Sequence, residues 1–124
     1  MYCEEIYESA LALLGESLIR DDNADYEERA PYILATFCSQ AIDKHEALSN
    51  ASGILVHWSF NPVCIPLNTV FPLNDRFASA ATLYLASMLV IDSDEELSDK
   101  LYHRFCEAMV NIPSVLESIE NKYF

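Results

Sequence analysis

Apolar residues recur along most of this chain at helical spacing, alternate in one stretch, and in another merge into a run with no polar side. In EEIYESALALL, Tyr2, Ile6, Ala10, Leu13 and Leu14 share one face while Glu4, Glu5 and Glu8 lie off it. That spacing predicts a half-buried first helix. Its early glutamates suit the positive end of the helix dipole. Gly15 either ends the helix as a C-cap or is followed by a further turn through ESLI.

After the polar run RDDNAD, Asp25 and Glu28 stand at capping-box spacing. Beyond them Ile33, Phe37, Ala41 and Leu48, with Cys38, Ile42 and His45, form a broad stripe that predicts a helix to about Ala47. Pro31 is close enough to its start to be tolerated or to kink it. Between Asn50 and Pro72 the period changes. Ile54, Val56, Trp58 and Phe60 alternate with Leu55, His57 and Ser59, Asn61-Pro62 marks a turn, and VCIPL is a candidate return strand. Pro66 confines that return to an edge or an irregular path. A two-stranded ribbon is marginal alone, so this insertion is expected to lean on the helices or on a neighbouring subunit.

From Phe77 to Ile91 only Ser79, Thr82 and Ser87 are not apolar. Asn74 or Asp75 caps this segment, and its apolar residues fill every side of the helical wheel. A membrane span is the obvious rival, but the run reaches roughly 22 Å against a hydrocarbon core of about 30 Å. Its flanks, NDR and DSDEE, lack aromatic and basic anchors. The expectation is a central helix, buried in a bundle and partly against another protein chain. Ser93 and Glu96 then form an S-x-x-E box for an amphipathic helix. It buries Leu97, Leu101, Phe105, Ala108, Met109 and Ile112, with Asp99, His103 and Glu107 opposite. Pro113 interrupts it, and SVLESIENKYF follows as a short helix or exposed tail.

These elements predict an all-α fold: a small bundle of four to five helices with a short β-hairpin or extended insertion between helices 2 and 3. The 124 residues suit one domain, with 114–124 as a candidate interaction tail. Composition agrees, since a hydrophobic fraction of 52% with 2 Gly and 5 Pro lacks the turn residues of many-stranded folds.

The formal charge of -13, from 7 Lys and Arg against 20 Asp and Glu, argues against a groove that grips nucleic-acid phosphates. An acidic surface instead keeps the molecule soluble, attracts basic partners, or repels DNA that passes nearby. The acidic N-terminal sequence MYCEEIYES lacks the basic start of a secretory signal, which predicts no export and reduced cysteines. Cys3, Cys38, Cys64 and Cys106 include no C-x-x-C and are expected to be small core hydrophobes.

Little in the chain suggests catalysis. His103 with Cys106, at i and i+3, and His57 with Cys64, across the expected hairpin, match no recognised zinc spacing or activated thiol. The carboxylate pairs Glu4-Glu5, Asp21-Asp22, Glu27-Glu28 and Glu95-Glu96 fit helix starts or a loop. With only Gly15 and Gly53, a phosphate-cradling loop is excluded. No catalytic residue, cofactor or metal is predicted. Trp58 and Phe60 either anchor an association or cap the end of the bundle core.

The order DYEERAPYIL (25–34), FPLNDRFASAATLYLASMLVID (71–92), ELSDKLYHRF (96–105) and SIENKY (118–123) resembles the small head-tail connector, or adaptor, proteins of long-tailed bacteriophages and prophages. The resemblance covers most of the chain from Asp25 on, in fold-defining rather than catalytic motifs. It implies a non-enzymatic, mostly helical subunit that assembles into a ring, commonly dodecameric, under the portal protein. The ring would join the portal to a downstream stopper or tail-completion protein, with DNA passing through but not specifically bound. Localisation would be the virion, and the host bacterial cytoplasm during assembly. The C-terminal segment often reaches the portal in such adaptors, which adds Ile119, Tyr123 and Phe124 to Trp58 and Phe60 as expected interface residues. A cytosolic acidic module that binds a basic protein or mimics DNA, and a small hydrolase or metal protein using Cys64, His57, Cys106 or His103, are the competing readings.

Overall fold

The computed structural model describes residues 1–15, 24–51 and 62–112, which form an all-α bundle. Helix α1 spans Cys3–Leu13, α2 Ala24–Ala51, α3 Ala78–Val90 and α4 Glu95–Asn111, with a 3₁₀ turn at Asp75–Phe77 leading into α3. Helix α3 is the hub. Among the described residues it packs along each of the other three helices, which meet one another only sparsely.

The segment from Phe77 to Ile91 therefore has no polar face because its own chain surrounds it. What is left open is a strip where Ser79 is exposed and Ala78 and Thr82 are half-buried, together with half-buried Met88 and exposed Ile91 towards the C-terminal end. Two of its three hydroxyl residues thus sit on the wet strip. The third, Ser87, is fully buried and solves its hydrogen bonding against α4: its hydroxyl donates to the Ser98 carbonyl (2.9 Å), and the Ser98 hydroxyl donates to the Ser87 carbonyl (2.9 Å). Small residues Ala80, Ala81 and Ala86, all buried, let the neighbouring helices approach closely.

Helix α1 begins without a side-chain cap at Tyr2. The loop before α3 supplies the acceptors instead, as the Cys3 and Glu4 amides donate to the carbonyls of Thr69 (2.9 Å) and Leu67 (2.8 Å). An isolated antiparallel bridge, Tyr2 with Val70, and a bond from the Phe71 amide to the Met1 carbonyl continue the contact. The same loop is tied to α2 through Ile65 N–H and the Pro31 carbonyl (3.1 Å), and it buries Ile65, Phe71 and Leu73. Phe37 of α2 is the aromatic centre, with ring centroids 6.4 Å from Phe71, 6.0 Å from Tyr84 and 6.1 Å from Phe105.

Several sequence expectations shift here. The buried stripe of α1 is Cys3, Ile6, Tyr7, Ala10 and Leu11, whereas Tyr2 and Leu13 are 52% and 39% exposed. The apolar residues of α1 outnumber the places on one face, and contact with α3 and the loop selected the face that includes Cys3 and Tyr7. Helix α2 starts at Ala24, so Asp25 lies inside its first turn, accepting from Arg29 (3.1 Å), and is not the N-cap. Helix α2 runs through Pro31 and on to Ala51, past the expected end at Ala47. The cap of α4 is Asp94, which accepts from the Leu97 amide (3.1 Å), rather than Ser93. Ser93 is taken up by the turn, where its amide and hydroxyl both donate to the Val90 carbonyl. Asn74 does cap, accepting from the Arg76 amide, and Gly15 ends α1 with φ of 71°, a backbone region that favours glycine. Of the expected hairpin, the described part from Pro62 forms no strand ladder, and the remainder lies outside the described residues.

Candidate association surface

Because α1, α2 and α4 each lean on α3 more than on one another, the bundle has furrows between them. One lies between α1 and α4 over the wet strip of α3. It encloses about 420 Å³ and is walled by Ile6, Leu13, Leu83 and Thr82, with Glu5 and Arg104 among its lining residues. The other opens beside α2 and encloses about 490 Å³, lined by Arg29, Tyr32, Ile33, Thr36, Tyr84 and Met88.

In the second groove Tyr84 and Met88 of α3 are lining residues, with Tyr84 buried and Met88 partly so. Burial raises the Tyr84 phenol above its ordinary pKa, and the neighbouring Tyr102 adds to the rise against a hydrogen bond with Gln40. Tyr84 is thus a neutral hydroxyl at physiological pH. On α4 the Tyr102 ring lies tilted 5.4 Å from that of Phe105, whose ring is 5.0 Å from Tyr84. Tyr32 and Tyr102 remain 55% and 43% exposed. Arg29 donates to the Leu89 carbonyl (2.8 Å) at the end of α3 and to Asp25, and its guanidinium lies 5.7 Å from the Tyr26 ring centre.

The residues expected to carry association, Trp58, Phe60, Ile119, Tyr123 and Phe124, lie outside the described residues, as do His57 and the tail from 114. The exposed aromatics Tyr32, which lines the second groove, and Tyr102 on α4 were not singled out from the sequence. Their signal was present, since each stands on the flank of an amphipathic helix where a polar residue is expected.

The cysteines divide in two. Cys3 and Cys38 are core residues, and burial pushes the Cys3 thiol up and the Cys38 thiol up to about 12, so both are protonated and unreactive. Cys64 and Cys106 are exposed, against the expectation that all four pack inside. His103 is exposed beside Cys106 on α4, and among the described residues no group of three or more His, Cys, Asp or Glu side chains is placed to hold a metal ion. The pairs Glu4-Glu5 and Glu95-Glu96 occupy the first turns of α1 and α4, exposed, where the helix dipole favours them. Among the described residues no helix is long and apolar enough to cross a membrane.

No family model, no curated protein and no solved structure matches this chain.

Proposed function

We propose that this protein is a non-enzymatic association subunit of the phage head-tail connector type, assembling as a ring between a portal and the next head-completion or tail protein. The observation that carries the reading is the ordered set of motifs from DYEERAPYIL to SIENKY. Three of them supply elements of the described bundle: the first opens α2, the second covers the 3₁₀ turn and α3, and the third lies within α4. A hub helix covered by its own chain gives a subunit a rigid centre, and the furrows beside it offer surface for neighbours. Acidity suits a wall past which DNA slides without sticking.

Native mass spectrometry of the chain, alone and mixed with a candidate portal protein, tests it. A ring of defined size, or a fixed number of copies bound to each portal, is expected. A monomer that leaves the portal free sinks the proposal. The charge of -13 supports a second reading, an acidic module that captures a basic protein. That reading requires capture of a DNA-binding protein to weaken steeply as ionic strength rises, and salt-independent capture removes it.

A further inference from the structure

We infer that the furrow between α1 and α4 is where two copies of this chain meet about a two-fold axis, with Glu5 of each copy on Arg104 of the other. This contact belongs to the free chain and goes beyond the connector reading, since it needs no portal.

The two lips of the furrow carry opposite signs. Helix α1 holds Glu4, Glu5 and Glu8 with no Lys or Arg, and its Glu5 lines the furrow together with Leu13. On the α4 lip the lining residue is Arg104, with Lys100 one turn before it. Arg29 and Lys100 each find a carboxylate one turn away on their own helix, Asp25 and Glu96. Arg104 finds none among the described residues. Glu5 shares the furrow with it and Glu107 follows it by three residues, yet neither forms an ion pair with it, and the Glu5 carboxylate is likewise unpaired. Between the lips the floor asks for little polar bonding. The Ser9 and Thr82 hydroxyls donate to carbonyls of their own helices, those of Glu5 and Ala78 (2.9 Å each), beside the apolar Ile6 and Leu83. Leu13 on the α1 lip remains 39% exposed. A surface with one unpaired carboxylate and one unpaired guanidinium across an apolar floor is complementary to itself. A partner of a single sign would satisfy one lip and be repelled by the other. A second copy turned about a two-fold axis lays its acidic lip on the basic lip of the first, matches both charges twice, and covers Leu13. The net charge of -13 repels that copy at long range, but at physiological ionic strength this repulsion is screened beyond about 8 Å, whereas charges in partly buried contact are screened much less.

The test is sedimentation velocity of the full chain over a concentration series at fixed ionic strength. A monomer and dimer in equilibrium are expected. Glu5→Arg and Arg104→Glu each set like charges against one another twice, and each should weaken the dimer at least about tenfold. The chain carrying both reversals should regain the original affinity. Glu28→Arg on α2, exposed and away from the furrow, changes the net charge as Glu5→Arg does and should leave the dimer intact. Glu5→Arg itself reduces the net negative charge, so general repulsion cannot account for a weaker dimer in that variant. Glu5 and Arg104 are exposed and unpaired in the single chain, so circular dichroism should show every variant folded. A chain that stays monomeric up to about 1 mM leaves the furrow to another occupant and overturns the proposal. So does a dimer indifferent to the single reversals, or one that both reversals together fail to restore. Free oligomers larger than a dimer also overturn it, because a two-fold contact closes at two copies, while they support the ring reading. A free monomer that still assembles on a portal removes the two-fold contact and leaves the subunit reading standing, and a dimer that ignores the portal does the reverse.

Discussion

Ser87 and Ser98 are the buried polar residues of the described core, and each satisfies the other, with their hydroxyl oxygens 3.2 Å apart. Ser87→Ala removes the hydroxyl that donates to the Ser98 carbonyl, and Ser98→Ala the one that donates to the Ser87 carbonyl, each at a cost of about 1 kcal/mol in urea unfolding. Because the two hydroxyl oxygens also touch, the cost of the double substitution should depart from the sum by at least about 0.5 kcal/mol. Additive costs would mean that the pair does not act as a unit. At Cys38 the sign of the pH effect follows from its raised pKa. The unfolded thiol ionises near 9 and the folded one near about 12, so in that window the folded state holds a proton the unfolded state has lost. Its contribution to stability is complete below pH 9 and is lost as pH rises toward about 12, with a slope of up to about 1.4 kcal/mol per pH unit. Cys38→Ala should flatten that alkaline slope, measured by denaturant titration at several pH values. A thiol reagent should modify Cys64 and Cys106 in the native protein and reach Cys3 and Cys38 only on unfolding.

At the scale of elements, the short link between α3 and α4 offers two adjacent capping residues, and the geometry favours the second. Asp94→Ala should cost about 1 kcal/mol of thermal or chemical stability, against less than about 0.5 for Ser93→Ala. The reverse ranking would restore the cap expected from the S-x-x-E pattern. Helices were legible because periodicity reports burial, and the all-around apolarity of α3 identified it as the centre. What the pattern did not fix was the choice between equivalent solutions. Tyr2, Leu13 and Cys3 are all apolar enough to be inside, and tertiary contact with the loop at Leu67 and Thr69 decided among them. That loop was invisible as a cap because it acts through backbone carbonyls, which carry no sequence signature. The groove beside α2 was hidden for a related reason: Tyr32 and Met88 are far apart in sequence, and only the packing of α2 on α3 brings them to one surface.

Across the whole molecule, charge is poorly neutralised. The two ion pairs among the described residues, Arg29 with Asp25 and Lys100 with Glu96, are on the surface and contribute little. The -13 balance therefore acts mainly as self-repulsion, and raising ionic strength should raise Tm in a thermal melt, the opposite of a fold held by ion pairs. A falling Tm would contradict this. The hub arrangement also imposes an order on synthesis. Helices α1 and α2 are complete by Ala51, but the helix they bury against is complete only at Val90. At about 5–20 residues per second, the wait on the ribosome is roughly 2–8 s. During that interval the loop at Ile65 to Leu73 is the first native cover to reach the apolar stripes of α1 and α2, and α3 is still missing. Apolar surface left open in this way is the kind that chaperones shield, until α3 arrives and gives the earlier helices a common partner.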